Sequence, residues 1–157
     1  MDAETLLADA PAGHKDALRL WLRMLTCTTL IEAEIRRRLR AEFNTTLPRF
    51  DLLATLERGG DGMTLGDVSR RMMVSNGNVT GLAARLEAEG LVERRLDAGD
   101  RRAFRLRLTP RGAREFARQS RAHEGWVGEF LHKLSTTERA QLQCLLGRAK
   151  ISIQERP

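Results

Sequence analysis

Hydrogen-bonding side chains recur on one side of a short predicted helix that follows Ser75. Asn78, Thr80 and Arg85 share this side with small residues. The apolar residues of the other side are Val79, Leu82, Ala83 and Leu86. An asparagine amide can form two hydrogen bonds with adenine and an arginine guanidinium two with guanine, and small residues let a helix lie deep in the major groove. The polar side therefore has the chemistry of base recognition.

The same helix has no acidic residue over positions 75–86, and Glu87 and Glu89 follow only at its far end. An acidic side chain would normally stabilise a helix N-terminus, and its absence leaves the backbone N–H groups there available to a phosphate. The alternative is a weak surface helix. Two exposed glycines, Gly77 and Gly81, argue against it, because a glycine costs a helix about 1 kcal/mol relative to alanine.

A predicted β-hairpin follows, with strands over residues 91–96 and 104–108. Its tip holds Asp100, Arg101 and Arg102. An arginine at such a tip can enter a narrow minor groove, and a neighbouring carboxylate can hold its guanidinium in place. The alternative is a solvated turn.

The positive charge is concentrated around this hairpin. The chain of 157 residues has a net charge of +6, and residues 91–118 contain nine arginines and four acidic residues. A positive patch attracts polyanions such as nucleic acids, although an ordinary solvated basic surface would have the same composition.

The hydrophobic spacing predicts a mainly α fold with a small β-hairpin wing. We expect a long helix over residues 15–43, a second helix from Pro48 to Gly59, a brief strand at residues 63–64, and a helix capped by Thr64. Two further helices are expected after the hairpin, from Pro110 and from a capping box at residues 135–138. The first is predicted to have an inward stripe, and the second an apolar face. The stripe is Phe116, Ser120, His123, Val127, Phe130 and Leu134, and the apolar face is Leu142, Leu145, Ala149 and Ile153. Two short helices, a turn and a hairpin form the order of a winged helix-turn-helix.

Other classes of protein find little support. The chain has no run of about 18 apolar residues and no secretory signal pattern, so we expect a cytoplasmic protein without a membrane partner. It has no phosphate-binding loop, nucleophile motif or metal-ligand spacing, so neither an enzyme nor a cofactor is expected. A protein-interaction module is less consistent with residues 75–86, which lack aromatic anchors.

Two segments carry a resemblance to a known family. Residues 86–94 (LEAEGLVER) and 100–112 (DRRAFRLRLTPRG) resemble the MarR family of bacterial transcription regulators, and the similarity is strongest over residues 64–118. The resemblance implies one domain over residues 1–157, with a winged helix-turn-helix lobe at 48–109 and dimerisation helices at 14–45 and 110–157. It also implies a homodimer that binds a pseudo-palindromic double-stranded DNA operator.

The resemblance assigns roles to individual residues. Arg102 corresponds to the wing arginine, Asp100 to the acid that braces it, and Arg101 to a phosphate contact. Many family members have an arginine or another long polar residue where this chain has Gly81. The expected DNA-facing set on the recognition helix is Ser75, Asn76, Asn78, Thr80 and Arg85.

The resemblance also implies a regulatory signal. Family members are usually repressors that release DNA on binding a small, often aromatic and anionic ligand, or on oxidation of a cysteine. A ligand-binding role for Trp21, Met24, Arg23 and Arg49 has an alternative, in which the tryptophan and methionine belong to the dimer core and the two arginines lie on the surface. For any one of these residues taken alone, we favour the alternative. Cys27 lies in the middle of the first helix, which does not match the usual redox position. The candidate ligand-binding residues are His14, Trp21, Arg23, Met24 and Arg49.

Overall fold

The computed structural model describes residues 12–96 and 104–155, and in these ranges the chain forms six helices and three strands. No helix of these residues is long and apolar enough to cross a membrane. The helices are α1 (Ala12–Phe43), α2 (Leu47–Arg58), α3 (Leu65–Met72), α4 (Asn76–Ala88), α5 (Pro110–Phe130) and α6 (Thr136–Gln154). The strands are β1 (Met63–Thr64), β2 (Val92–Leu96) and β3 (Phe104–Leu108). The mainly α winged-helix fold is therefore confirmed.

The main hydrophobic core lies among α2, α3, α4 and the strands. Leu52, Leu56 and Val68 each expose 1% or less of their surface, and Leu106 of β3 lies in the same cluster. Burial of one such side chain contributes about 1.5–3 kcal/mol, so this cluster is the main source of stability for the lobe.

The ends of α3 and α4 are set by capping residues. The Thr64 hydroxyl accepts a hydrogen bond from the backbone N–H of Asp67 at 3.2 Å and donates one to its carboxylate at 2.7 Å. The Ser75 hydroxyl accepts the N–H of Asn78 at 3.4 Å. Gly90 ends α4 with a φ of +70°, a left-handed conformation that glycine adopts without a steric penalty.

The three strands form one antiparallel sheet in the order β1-β3-β2. Val92 pairs with Leu108 at the base of the hairpin, and Met63 of β1 pairs with Leu106 on the other edge of β3. The predicted hairpin and the brief strand at residues 63–64 are both confirmed. Because β1 pairs with β3 and leads directly into α3, it connects the hairpin to the start of α3.

The chain divides into two compact units, one up to His123 and the other from Glu124. Within the first unit, Phe50 of α2 packs on α5, with its ring centroid 5.6 Å from Phe116 and 4.9 Å from His123. These contacts join the winged lobe to the first part of α5.

The apolar face predicted for the last helix is not buried within the single chain. Leu142, Leu145 and Ile153 of α6 are 43%, 58% and 69% exposed. The amphipathic pattern shows which face would be covered, but it does not require the same chain to cover it. On α5 the predicted stripe is only half-buried, whereas Gln119 and Trp126, which lie outside the stripe, are 2% and 5% exposed.

Gly112, near the start of α5, packs directly against the backbone of Leu91. A Cβ atom at position 112 would lie 1.9 Å from the Leu91 carbonyl oxygen. We therefore expect Gly112→Ala to reduce the free energy of unfolding by at least about 2 kcal/mol, because backbone must move to make room. Urea unfolding at one fixed protein concentration measures this loss.

The matched control is Gly66→Ala in α3, where the new Cβ would be 3.9 Å from the Thr64 hydroxyl, an ordinary contact. Its stability should be unchanged or higher by up to about 1 kcal/mol. Equal stability of the Gly112 variant and the wild type would contradict the packing described here.

Candidate nucleic-acid interface

The rotation of α4 is set by its buried residues. Val79, Ala83 and Leu86 are fully buried against the lobe core. This burial turns the opposite side of the helix to solvent, as predicted. The side chains that lie there exposed are Asn76, Asn78, Thr80, Ala84 and Arg85.

Most polar side chains on this face keep hydrogen-bonding capacity. Thr80 donates to the carbonyl of Asn76 at 2.8 Å, and Arg85 Nε donates to the carbonyl of Gly81 at 3.2 Å. Within the described parts of the chain, the Asn76 and Asn78 amides have no hydrogen-bond partner and Arg85 has no ion pair. Two amides and the outer nitrogens of one guanidinium therefore face solvent with free donors and acceptors.

The two glycines on this face are not required by the protein's own packing. A Cβ at Gly77 would have no atom within 4 Å, and one at Gly81 would meet only an Arg85 nitrogen at 3.9 Å. Neither glycine has a positive φ. They border an open groove of about 390 Å³ whose other walls come from the α2 start and the α3–α4 turn.

Much of the positive charge around the hairpin is paired. Arg94 contacts Glu87 at 3.1 Å, and Glu93 accepts from both Arg95 (3.0 Å) and Arg107. The Arg107 hydrogen bond lowers the pKa of Glu93 and so keeps its carboxylate ionised. The strands are thus less basic than their composition indicates. The predicted wing residues Asp100, Arg101 and Arg102 lie outside the described residues.

The predicted ligand residues have different surroundings. Trp21 is 54% exposed, Arg23 is exposed and Met24 is half-buried on α1, whereas the side chain of His14 lies outside the described part. Arg49 forms two hydrogen bonds with the carboxylate of Glu89, one of them at 2.7 Å. The positive charge of Arg49 is thus paired with Glu89, which lies 40 positions away along the chain and which no local sequence pattern indicated as its partner.

The two cysteines, Cys27 and Cys144, are both exposed in the single chain. A buried cysteine is chemically inert, but within one chain neither thiol is protected by burial.

The Arg49–Glu89 contact joins α2 to the end of α4 and responds to pH. The hydrogen bonds from Arg49 lower the pKa of Glu89 below its ordinary value of 4.5. The stabilisation is therefore present above the unfolded pKa and is lost as the pH falls through the lower folded pKa. We expect wild type to have a higher melting temperature than Glu89→Gln at pH 7, with the difference shrinking as the pH falls from 5 to 3.

Thermal unfolding of both proteins over this pH range provides the measurement. The control is Glu57→Gln, because Glu57 is exposed on α2 and has no ion pair among the described residues. A difference between wild type and Glu89→Gln that stayed constant with pH would rule out the ion pair as its source.

Comparisons with known proteins agree with this geometry. Residues 43–103 match the model of the MarR family. The chain is 36% identical over 66% of its length to the transcriptional activatory protein BadR of Rhodopseudomonas palustris, of which the match covers 59%. It is 30% identical over 70% of its length to the HTH-type transcriptional regulator PecS of Dickeya dadantii, of which 68% is covered. A MarR family regulator from Silicibacter pomeroyi superposes with a TM-score of 0.76 at 30% identity, covering 92% of this chain and 99% of that one. The chain therefore belongs to the MarR family of transcriptional regulators.

Proposed function

We propose that this protein is a transcription regulator that binds a specific double-stranded DNA sequence through α4. The observation that carries the proposal is the solvent face of this helix, where free amides and a guanidinium stand beside two glycines that the fold itself does not need. Asparagine and arginine on such a helix can form two hydrogen bonds each with adenine and guanine. The proposed contact set is Ser75 at the N-cap of α4, Asn76, Asn78, Thr80 and Arg85 on α4, and Arg101 and Arg102 at the wing.

The wing arginines extend the contact beyond the major groove. In this proposal Arg102 enters the minor groove, Asp100 holds it in place and Arg101 binds a phosphate. Because most described arginines of the hairpin strands are paired with acidic residues, these tip residues and the N-terminus of α4 supply most of the attraction for the backbone.

The protein acts as a homodimer in this proposal. In the single chain α1 exposes Leu20 and Leu30 at 61% and 66%, and α6 exposes its own apolar residues. Apolar surface of this extent on two helices is typical of a partner interface. A second copy of the chain provides the complementary surface and places two recognition helices on a pseudo-palindromic operator.

The proposed signal is a small aromatic anion that releases the DNA. The exposed ring of Trp21 and the half-buried Met24 support it, since both could contact an aromatic ring beside Arg23. A dimer that occupies an operator blocks access for other proteins, so we propose repression. Activation is the second candidate, because BadR is named a transcriptional activatory protein.

The decisive experiment is a gel-shift assay with the DNA upstream of the protein's own gene, at several salt concentrations and with nonspecific competitor. We expect a dimer-sized complex that survives competitor and is released by one member of a panel of aromatic carboxylates. A shift that competitor abolishes would contradict sequence-specific binding. A promoter–reporter fusion then separates repression from activation by the sign of the change on deleting the protein.

Gly81→Ala is expected to change the stability of the protein and its affinity for the operator in opposite directions. Alanine in place of an interior helical glycine should raise the free energy of unfolding by up to about 1 kcal/mol. The added methyl group should keep α4 from its full depth in the groove and weaken specific binding by about tenfold, or roughly 1.4 kcal/mol. Urea unfolding and the gel shift measure the two effects.

Gly66→Ala is again the control and should leave DNA binding unchanged. A Gly81 variant that binds the operator as tightly as wild type would contradict the close approach of α4 to the base edges.

A further inference from the structure

We infer that an arginine-lined groove on the first unit binds phosphate groups of the DNA backbone, in addition to the contacts proposed for α4 and the wing. The groove has a volume of about 460 Å³ and lies among the end of α2, the strands β1 and β3, and α3. Its charged lining residues are Arg58, Asp67, Arg70, Arg71 and Arg105. The inference rests on the proposed DNA binding and adds a second, sequence-independent surface to it.

The charge of the groove is positive even after the helix ends are counted. Four guanidinium groups and one carboxylate line it, so the side chains sum to +3. Arg58 belongs to the last turn of α2, and Arg70 and Arg71 belong to the last turn of α3. Each helix C-terminus carries about half a negative charge, which leaves about +2. The helix ends therefore do not neutralise the arginines beside them.

Two of the arginines have no acidic partner in the described part of the chain. Arg70 forms an ion pair with Asp67, and hydrogen bonds from Thr64 and Arg70 lower the pKa of this carboxyl, so it stays ionised. Arg58 and Arg71 are exposed and form no ion pair with residues 12–96 or 104–155. Their guanidinium groups can therefore bind an anion without first breaking a contact to one of these residues.

Arg105 is held at the groove by backbone. It donates to the carbonyl of Gly62 at 3.1 Å, and because this carbonyl has no net charge, the hydrogen bond orients the guanidinium without neutralising it. Gly62 has a φ of +114°, and a Cβ there would lie 3.1 Å from the carbonyl oxygen of Leu106. A glycine at this position thus allows the close approach of backbone that the hydrogen bond requires.

The lining favours a row of phosphates over a free nucleotide. None of the described residues that line the groove is aromatic, so a nucleobase would have no ring on which to stack. Double-stranded DNA carries one negative charge per about 1.7 Å of its axis, so guanidinium groups from α2, α3 and β3 can meet more than one phosphate. Arginine also matches phosphate geometry, since it can donate two parallel hydrogen bonds.

The groove adjoins the proposed interface along the chain. Arg105 is the second residue of β3, the strand that follows the proposed wing tip at residues 100–102. The last turn of α3, which carries Arg71, leads through residues 73–75 into α4. A duplex held by both α4 and the wing therefore runs close to the elements that carry the groove.

The test is the salt dependence of binding to a duplex of unrelated sequence, measured by fluorescence anisotropy with the full-length protein. The variant is Arg58→Gln/Arg71→Gln. We expect the slope of log Kobs against log salt to become less steep by at least about 1.8, which corresponds to one lost phosphate contact in each subunit of a dimer. Affinity for the operator and for unrelated DNA should fall by the same factor, because backbone contacts carry no sequence information.

Two further variants show that the effect comes from charge in the groove. Arg58→Lys/Arg71→Lys should keep most of the slope, because lysine binds phosphate as a point charge. Arg121→Gln is the matched control, because Arg121 is exposed on α5, has no ion pair among the described residues and does not line the groove. Circular dichroism and size-exclusion chromatography compare the variants, and the single glutamine variants decide if the double one does not fold.

The possible outcomes separate this inference from the proposed function. An unchanged slope in the folded glutamine variants overturns the inference. A wild type without preference for the operator, whose slope the variants still change, overturns sequence-specific binding alone. Absence of any DNA binding by the wild type overturns both. Binding of inorganic pyrophosphate that the variants abolish, together with an unchanged slope on DNA, assigns the groove to a free phosphate ligand and overturns the backbone contact.

Discussion

Burial of one face of α4 is the constraint on which the candidate interface depends. Val79, Ala83 and Leu86 lie in the core with Leu53 and Leu106, and each is 1% exposed or less. Rotating the helix about its axis would expose these side chains and lose several kcal/mol of burial energy. Asn78 and Arg85 lie on the side of the helix opposite these buried residues, so the same packing directs them toward solvent. A stable core and a recognition surface are thus two consequences of one packing arrangement.

Electrostatics in this protein are more local than its composition indicates. The net charge is +6, yet Glu87, Glu93, Glu89 and Glu115 each hold at least one arginine in a close ion pair. Surface pairs of this kind add little stability, but they orient guanidinium groups and reduce nonspecific attraction for polyanions. Specificity for DNA would then depend more on hydrogen bonds from α4 and less on a general positive field.

The outcome for individual residues shows where sequence patterns are informative. The caps at Thr64, Ser75 and Ser135 and the strand at residues 104–108 are local signals, and the structure confirms each of them. The helical spacing correctly predicted the apolar face of α6. It could not predict whether this face is buried within one chain, because the pattern carries no information about which chain covers it. Gln119 was missed because a glutamine beside an apolar stripe has no feature that indicates burial.

By itself the sequence determined the order of elements, the family and the polar face of α4. Each of these follows from local patterns, namely hydrophobic spacing, capping residues and short contiguous motifs. Only the tertiary structure decided that Arg49 lies against Glu89 and that Gln119 Oε1 and Arg49 Nε line one cavity. These groups are separated by 30 or more positions along the chain. Their meeting depends on how α2, α4 and α5 pack around the apolar core, and hydrogen bonds between such distant residues leave no periodic pattern in the sequence.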